Sequence, residues 1–351
     1  MVKNIQPAWV GKLRKQLKQA GKADSDFSRF GADSHKYQLK PPASEERIAA
    51  FETHFDISLP EGYRNFLLWM GNGGAGPFYG LYSLEASEPC QLCDYSSGAV
   101  LPLGTQGCTL MTGLILDGAD RGRVIYYDED QCGTPTVMRE PDFLTWYERW
   151  TREVIAGYDD EMMDFGLYLD GKPQELMDLY EGTEDVPGRV EIVESCYKFQ
   201  VLPAKQKTYF KRACDSEQDP RLRMTLIKML CHFHVPGMVE QIGVLWDSGA
   251  YPEAISVICY EGGWKVKESW WPQGTGEDVR SAWPALLGCV PHLLRFEGLP
   301  GNPRRTAEGP VVPWGSGPER QEYPVHLPEQ TQWPGRSAGI LPGIPARREK
   351  P

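Results

Sequence analysis

The sequence has no hydrophobic run long enough to cross a membrane. No segment approaches a run of about 18 apolar residues, which a spanning helix needs. The N-terminal MVKNIQPAWVGKLRKQ also lacks the apolar core of a secretory signal peptide. The 351 residues, 41% of them hydrophobic, suffice for two ordinary domains with their own cores. We therefore expect a soluble globular protein that stays in the cytoplasm.

The cysteines do not form the pattern of a disulfide framework or a metal site. Nine cysteines are an odd number scattered over a long chain, so most of them are expected to be buried thiols. Cys90 and Cys93 could form half of a zinc site or a redox pair, but no second C-x-x-C or H-x-x-H lies at the usual spacing. Cys231-His232-Phe233-His234 places its ligands at helical positions that cannot all point one way. No metal and no cofactor is predicted.

Acidic residues are absent from the first 22 residues, which hold six basic ones. Residues 23–186 hold 11 basic and 30 acidic residues, a net charge of −19, and the remainder is near neutral with 20 against 18. An acidic domain repels nucleic acid and suits a basic partner, because complementary charge raises association rates. Alternatively, the acidity serves solubility alone.

The chain is organised around a glycine-rich turn. Its glycines are Gly71, Gly73, Gly74 and Gly76. Apolar residues at helical spacing precede the turn, and residues 78–84 after it have the composition of a strand. The glycines spell G-x-G-x-x-G, but a dinucleotide site needs the strand before the glycines and the helix after them. The order here is reversed, so we predict a structural turn with positive φ at Gly73 or Gly74.

Helices are predicted on the N-terminal side of this turn. Residues 8–20 form a basic amphipathic helix that packs on the following domain or, alternatively, lies on a membrane surface or binds a calmodulin-like partner. Ser44 is expected to cap a second helix, since Glu45 and Glu46 follow in its first turn. Pro60 opens a third helix, and the second and third form a helical hairpin.

A β-hairpin and one long helix are predicted on the C-terminal side. Residues 109–116 and 123–128 are strands joined by a polar, glycine-containing loop, which indicates an antiparallel hairpin. Asp142 is expected to cap an aromatic-rich helix that ends at Gly157. Its regularly spaced aromatic residues are typical of a helix that faces a core.

The order and spacing of these features resemble the SUKH superfamily, in its SMI/KNR-type, killer-toxin-resistance-like branch. The resemblance covers residues 36–156 and is carried by Pro41-Pro42-Ala43-Ser44-Glu45-Glu46-Arg47-Ile48, Phe51-Glu52, Leu59-Pro60, Tyr63, Phe66-Leu67, Gly71-Asn72-Gly73-Gly74, Gly80-Leu81-Tyr82 and Gly122-Arg123-Val124. Bacterial members are mostly immunity proteins that bind and neutralise a cognate toxin, and fungal relatives are regulatory scaffolds. The resemblance implies a non-enzymatic protein-binding domain.

We expect an α+β chain in four parts. Residues 1–35 form the basic amphipathic helix and a linker, and residues 36–186 form a SUKH-like domain with a mostly antiparallel sheet and flanking helices. Residues 187–297 form a small all-α region in which helix starts near 219, 250 and 278 resemble short HEAT-like repeats. Residues 298–351 contain 11 Pro and 8 Gly, so we expect a disordered tail. Its abrupt change of composition suggests an out-of-frame or alternative C-terminus.

The function predicted from the sequence is that of an immunity protein that occludes a basic toxin domain. The candidate contact residues are carboxylates around the hairpin: Asp117, Asp120, Asp128, Glu129 and Asp130. A regulatory scaffold is the first alternative, and a metal-dependent hydrolase using Asp128 and Asp130 is the second. No nucleic-acid or membrane partner is expected, and the sequence predicts no particular oligomeric state.

Overall fold

The computed structural model describes residues 6–93, 95, 98–130, 135–158, 164–238 and 241. The α-helices in chain order are α1 Ala8–Ala23, α2 Ala32–His35, α3 Glu45–Phe55, α4 Glu61–Trp69, α5 Phe143–Ala156, α6 Pro173–Gly182, α7 Val186–Glu194, α8 Ala204–Ser216 and α9 Pro220–His232. The strands are β1 Val100–Gly107, β2 Leu110–Ile115, β3 Val124–Asp128 and β4 Thr136–Val137. They pair antiparallel in the order β1-β2-β3-β4, which confirms the α+β class and the antiparallel sheet.

Helix α1 belongs to the first hydrophobic core. Its apolar stripe of Val10, Leu13 and Leu17 is buried, and the helix packs against α5. The predicted packing on the following domain is therefore confirmed, and this apolar face is not free to lie on a membrane. None of the helices that the structure describes is both long and apolar enough to traverse a bilayer.

The predicted helix caps are present. The Ser44 side chain accepts a hydrogen bond from the Arg47 N–H at 3.3 Å, and the Asp142 side chain accepts one from the Thr145 N–H at 2.8 Å. Helix α5 ends at Gly157 in the left-handed conformation with φ 70°. The aromatic stripe of α5 is buried in the first core, as predicted: Phe143, Trp146, Tyr147 and Trp150.

The sheet contains the predicted hairpin and one strand that the sequence pattern did not indicate. Strands β2 and β3 are the hairpin. Strand β1 was missed because Pro102 and Gly104 interrupt its pattern, and register shifts occur beside both residues. Proline is tolerated there because β1 is an edge strand. A side chain at Gly104 would overlap the Gly80 carbonyl oxygen, so close backbone approach explains the glycine.

Both faces of the sheet are apolar. The inner face contributes Leu101, Leu114 and Val124 to the first core, beneath helices α4 and α5. The outer face forms a second small cluster, in which Ile115 and Ile125 are fully buried. Side chains of the connection between Tyr82 and Tyr95 cover this cluster. Tyr82, Leu92 and Tyr95, which precede β1 in the chain, therefore help to bury the outer face of the sheet.

The glycine-rich turn has the predicted left-handed residues. Gly73 has φ 90° and Gly74 has φ 100°. The strand predicted at residues 78–84 is wrong: Phe78 has φ 55°, and Leu81 forms only an isolated bridge to Gly74. The left-handed Phe78 bends the chain back, so that the Gly74 N–H donates to the Leu81 carbonyl at 2.9 Å and the reverse bond is 2.7 Å. This tight loop leaves no length for a strand.

Backbone hydrogen bonds anchor the turn on two sides. The Lys40 N–H donates to the Gly73 carbonyl at 2.9 Å, and the Ala75 N–H donates to the Gln38 carbonyl at 2.8 Å. On the other side, the Tyr82 N–H donates to the Leu103 carbonyl of β1 at 2.7 Å. The turn therefore joins the segment before α3 to the edge of the sheet.

A further hydrophobic core lies among helices α6, α7, α8 and α9. It includes Leu176 of α6, so this helical cluster begins before residue 187. The predicted helix start near residue 219 is present, because Asp219 accepts a hydrogen bond from the Leu222 N–H at 3.0 Å. The starts predicted near 250 and 278 and the tail 298–351 lie outside the described residues. The HEAT-like interpretation stays a prediction.

His35 is buried beneath the glycine-rich turn. Its Nδ1 accepts a hydrogen bond from the Tyr37 N–H at 3.0 Å, and its ring meets the ring of Trp150 edge-on at 5.9 Å. Burial lowers the pKa of His35 from 6.5 to about 4, although the carboxylates of Asp24 and Asp33 oppose the shift. The imidazole of His35 is therefore neutral in the folded state at neutral pH.

The first prediction concerns Gly73. A Gly73→Val substitution should destabilise the protein by about 3 kcal/mol, because it adds left-handed strain and a Cβ only 2.7 Å from the Tyr82 carbonyl carbon. Gly11→Val is the matched control, since a Cβ at this exposed position in α1 would meet nothing within 4 Å. Chemical denaturation measures both variants. Equal stability of the two would show that the turn is an ordinary flexible loop.

The second prediction concerns acid stability. The folded-state pKa of His35 lies below its unfolded value, so the unfolded chain takes up the proton first as the pH falls. His35 should therefore cost about 3 kcal/mol of stability as the pH falls from 6.5 to 4. His35→Gln should reduce this loss, whereas His54→Gln on the exposed face of α3 should keep it. Denaturation at both pH values measures this loss of stability. If His35→Gln loses as much stability as the wild type, His35 is not the source of the acid sensitivity.

Candidate functional site

The structure places two of the five predicted carboxylates in the loop between β2 and β3. The Asp117 Oδ1 accepts a hydrogen bond from the Ala99 N–H at 3.0 Å. Asp120 forms an ion pair with Arg123. Both side chains therefore have structural partners, but only the charge of Asp120 is balanced by a cation.

The other three carboxylates lie at the opposite end of β3, and we call them the acidic edge: Asp128, Glu129 and Asp130. Asp128 pairs with Leu110 across the sheet, and its Oδ1 accepts a hydrogen bond from the Asp130 N–H at 3.0 Å. Glu129 and Asp130 are exposed and form no ion pair with any described residue. The length of β3, about 15 Å, separates the acidic edge from Asp117 and Asp120. The five predicted residues therefore form two groups at opposite ends of β3, and their role in binding a partner stays a prediction.

The acidic edge adjoins exposed apolar side chains that the sequence reasoning missed. Leu110, at the start of β2, is 48% exposed, and Tyr79, in the turn that follows Pro77, is 39% exposed. A Cβ on Gly107 would lie 3.3 Å from the Tyr79 ring, and Gly107 is the cross-strand partner of Leu110. A hydrophobic residue inside a predicted strand carries no signal of exposure, so the sequence pattern could not reveal this surface.

The two cysteines of the C-x-x-C segment are in different covalent states. Cys90 is a free thiol, whereas Cys93 is disulfide-bonded, so the two sulfurs do not bond to each other. Burial raises the pKa of the Cys90 thiol, which disfavours the thiolate that metals and disulfides require. Within the described part of the chain, no group of three or more His, Cys, Asp or Glu residues is arranged to hold a metal ion.

A family relationship accounts for the arrangement of α3, α4, the glycine-rich turn, the sheet and the first half of α5. Residues 42–149 match the SMI1/KNR4 family (SUKH-1). The chain carries a SUKH-1 domain. The match confirms the resemblance that was based on residues 36–156, and it leaves helix α1 outside the family region although α1 packs in the same core. No curated protein and no solved structure matches the chain.

The SUKH-1 match ends at Arg149, the centre of a buried ion network. Arg149 is 2% exposed, and it donates to Glu140 at 2.6 Å and to Glu153 at 2.9 Å. Its second terminal nitrogen donates to the Tyr168 carbonyl at 2.6 Å. The guanidinium is therefore held by two carboxylates and by a loop that lies beyond the family region.

Lys198 extends this network into the helical cluster. Its ammonium lies 3.4 Å from Glu153 and donates to the Leu169 carbonyl. Burial lowers the pKa of Lys198, and the Glu153 carboxylate opposes that shift. The network therefore holds α5, the last helix of the SUKH-1 domain, against the helical cluster of α6–α9.

The third prediction tests this network. Arg149→Met should destabilise the protein by about 3–5 kcal/mol, because it leaves Glu140 and Glu153 buried without their main partner. Arg139→Met is the control: its ion pair with Glu191 also joins the domain to α7, but both side chains are exposed. Such a surface pair should contribute less than about 1 kcal/mol. Denaturant unfolding that gives the two variants similar losses would contradict a central role for Arg149.

Proposed function

We propose that the SUKH-1 domain is a non-enzymatic binding module that neutralises a basic toxin domain by covering it. Proteins of this family are commonly immunity proteins. The observation that carries the proposal for this chain is the acidic edge, where Glu129 and Asp130 project charge without a positive neighbour among the described residues. A basic partner would supply that neighbour.

The arginines of residues 42–152 support this interpretation, because their partners lie within the chain. The ion pairs are Arg47–Glu85, Arg64–Glu45, Arg64–Glu52, Arg123–Asp120, Arg139–Glu191, Arg149–Glu140, Arg149–Glu153 and Arg152–Asp170. Arg121 donates to the Ser58 carbonyl at 2.9 Å. Residues 23–186, whose net charge is −19, also hold many carboxylates outside these pairs.

The alternative of a metal-dependent hydrolase at Asp128 and Asp130 gains no support from their geometry. Asp128 accepts a hydrogen bond from the backbone of Asp130, which is the role of a residue that closes a turn. A regulatory scaffold would use the same kind of surface for a different protein. Neutralisation of toxicity distinguishes the scaffold from the immunity protein.

A toxicity-rescue screen tests the proposed function. Genome fragments of the source organism are expressed in a host, and those that kill it are expressed again together with this chain. Rescue by the wild-type chain, followed by direct binding of the purified toxin domain, is the expected result. If no toxic fragment is neutralised, the immunity function is refuted.

The fourth prediction concerns the acidic edge in that complex. Asp128→Lys combined with Asp130→Lys should slow association with the neutralised toxin and make the association rate less dependent on salt. The reason is that electrostatic steering is screened beyond a Debye length of about 8 Å at physiological salt. Glu184→Lys combined with Glu194→Lys is the control, since these exposed residues of the helical cluster give the same change in net charge. Association kinetics across a salt series measure both. Equal slowing by the two variants would mean that net charge, and not the acidic edge, governs association.

A further inference from the structure

An apolar patch lies beside the acidic edge, and it consists of Phe30, Tyr79 and Leu110. The rings of Phe30 and Tyr79 meet edge-on with their centroids 5.1 Å apart. The Gly107 Cα, across the sheet from Leu110, lies under both rings, because a Cβ there would be 3.3 Å from Tyr79 and 3.6 Å from Phe30. The glycine lets the two rings approach the strand end, so the patch is continuous across the turn between β1 and β2.

The exposure of Tyr79 follows from a strained backbone. Phe78 has φ 55°, a conformation that costs a bulky residue free energy and is therefore kept only where the surroundings impose it. Its ring is buried against Tyr126, with centroids 5.7 Å apart, and the Gly80 N–H closes the turn on the Pro77 carbonyl at 3.0 Å. Because Phe78 points into the core, Tyr79 is directed outward.

The turn beneath Leu110 is held just as firmly. Gly107 has φ 104° and Cys108 has φ 50°. The Thr105 hydroxyl accepts a hydrogen bond from the Gly107 N–H at 3.0 Å and donates one to the Leu110 carbonyl at 3.3 Å. Side chains on a rigid turn lose little conformational freedom when a partner binds, which favours affinity.

The acidic edge borders this patch directly. Leu110 and Asp128 are cross-strand partners, and the Glu129 N–H donates to the Thr109 carbonyl at 2.9 Å. Gly107, which lies under Tyr79, and Asp128 are therefore two strand spacings apart, a distance of about 10 Å between their Cα atoms. An apolar centre with a charged rim on one side is the arrangement in which a few central residues dominate protein binding.

We propose that this patch is where a basic partner protein docks an apolar anchor, with its Lys or Arg side chains on the acidic edge. The inference rests on the proposed function and adds where the partner is held. Carboxylates raise the association rate, while apolar contacts in a desolvated centre slow dissociation. The exposed ring of Tyr79 can also stack against an arginine, which suits the same partner chemistry.

The test uses three synthetic peptides of equal length on the full chain: one of Lys and Leu, one of Lys and Ser, and one of Glu and Leu. The Lys/Leu peptide should bind and shift the NMR signals of Tyr79 and Leu110. Leu110→Ser and Tyr79→Ser should each weaken this binding by at least about tenfold. The Lys/Ser peptide should bind weakly and with equal affinity to all variants, and the Glu/Leu peptide should not bind.

Leu179→Ser is the matched control, because Leu179 of α6 is 46% exposed and lies outside the patch. This substitution should leave the affinity for the Lys/Leu peptide unchanged. Melting curves establish that each variant is folded. If Tyr79→Ser is unfolded, the test relies on Leu110→Ser alone. Retained affinity of the folded Leu110→Ser variant, or shifts confined to another surface, would overturn the inference.

The rescue screen separates this inference from the proposed function. If the wild-type chain neutralises a toxin and Leu110→Ser neutralises it equally well, the patch is not the contact centre, although the immunity function stands. If the wild-type chain neutralises nothing, the immunity function fails, and the peptide titration alone decides whether the patch binds basic apolar segments.

Discussion

The backbone of the glycine-rich turn is the constraint on which the SUKH-1 domain depends. Three chain segments meet there without side chains between them: residues 38–41, residues 72–82 and residues 103–104 of β1. Other elements then attach to the same point. The Tyr147 hydroxyl of α5 donates to the Ala75 carbonyl at 2.9 Å, and Asn72 accepts from the Leu84 N–H and donates to Glu85, both at 2.9 Å. A helix, a strand edge and a loop are thereby fixed relative to one another.

Local patterns predicted those elements whose cause is local. The caps at Ser44 and Asp142, the stripe of α5 and the hairpin of β2 and β3 depend on neighbours in sequence, and all are present. Strand β1 and the turn at Phe78 depend on contacts between distant segments. Gly104 lies in a strand because Gly80 approaches it, and Phe78 adopts positive φ because its ring fills the core beside Tyr126. Propensity alone argues against both.

The candidate site shows the same division. The sequence identified every carboxylate around the hairpin, but which charges are compensated depends on three-dimensional partners. Asp120 is paired by Arg123, and Asp117 caps the backbone at Ala99, whereas Glu129 faces solvent. The loop of the hairpin, with Asp117 and Asp120, lies a strand length from the end of β3, with the acidic edge. Carboxylates that are close in sequence therefore lie at opposite ends of the sheet. Exposure of Leu110 follows from its place at the strand end and not from its type.

The buried ion network explains how the helical cluster of α6–α9 can be joined to this domain. Arg149 and Glu153 are four residues apart on α5, a spacing that would form an exposed pair on an isolated helix. Here the helical cluster covers them, and Lys198 and Glu140 balance the charge. A charged contact of this kind can be rehydrated when its two sides separate, whereas an apolar contact would leave hydrophobic surface in water. The acidic edge and the apolar patch are built on the turn and the sheet, so the network can fix the position of the helical cluster without contributing a residue to the proposed contact surface.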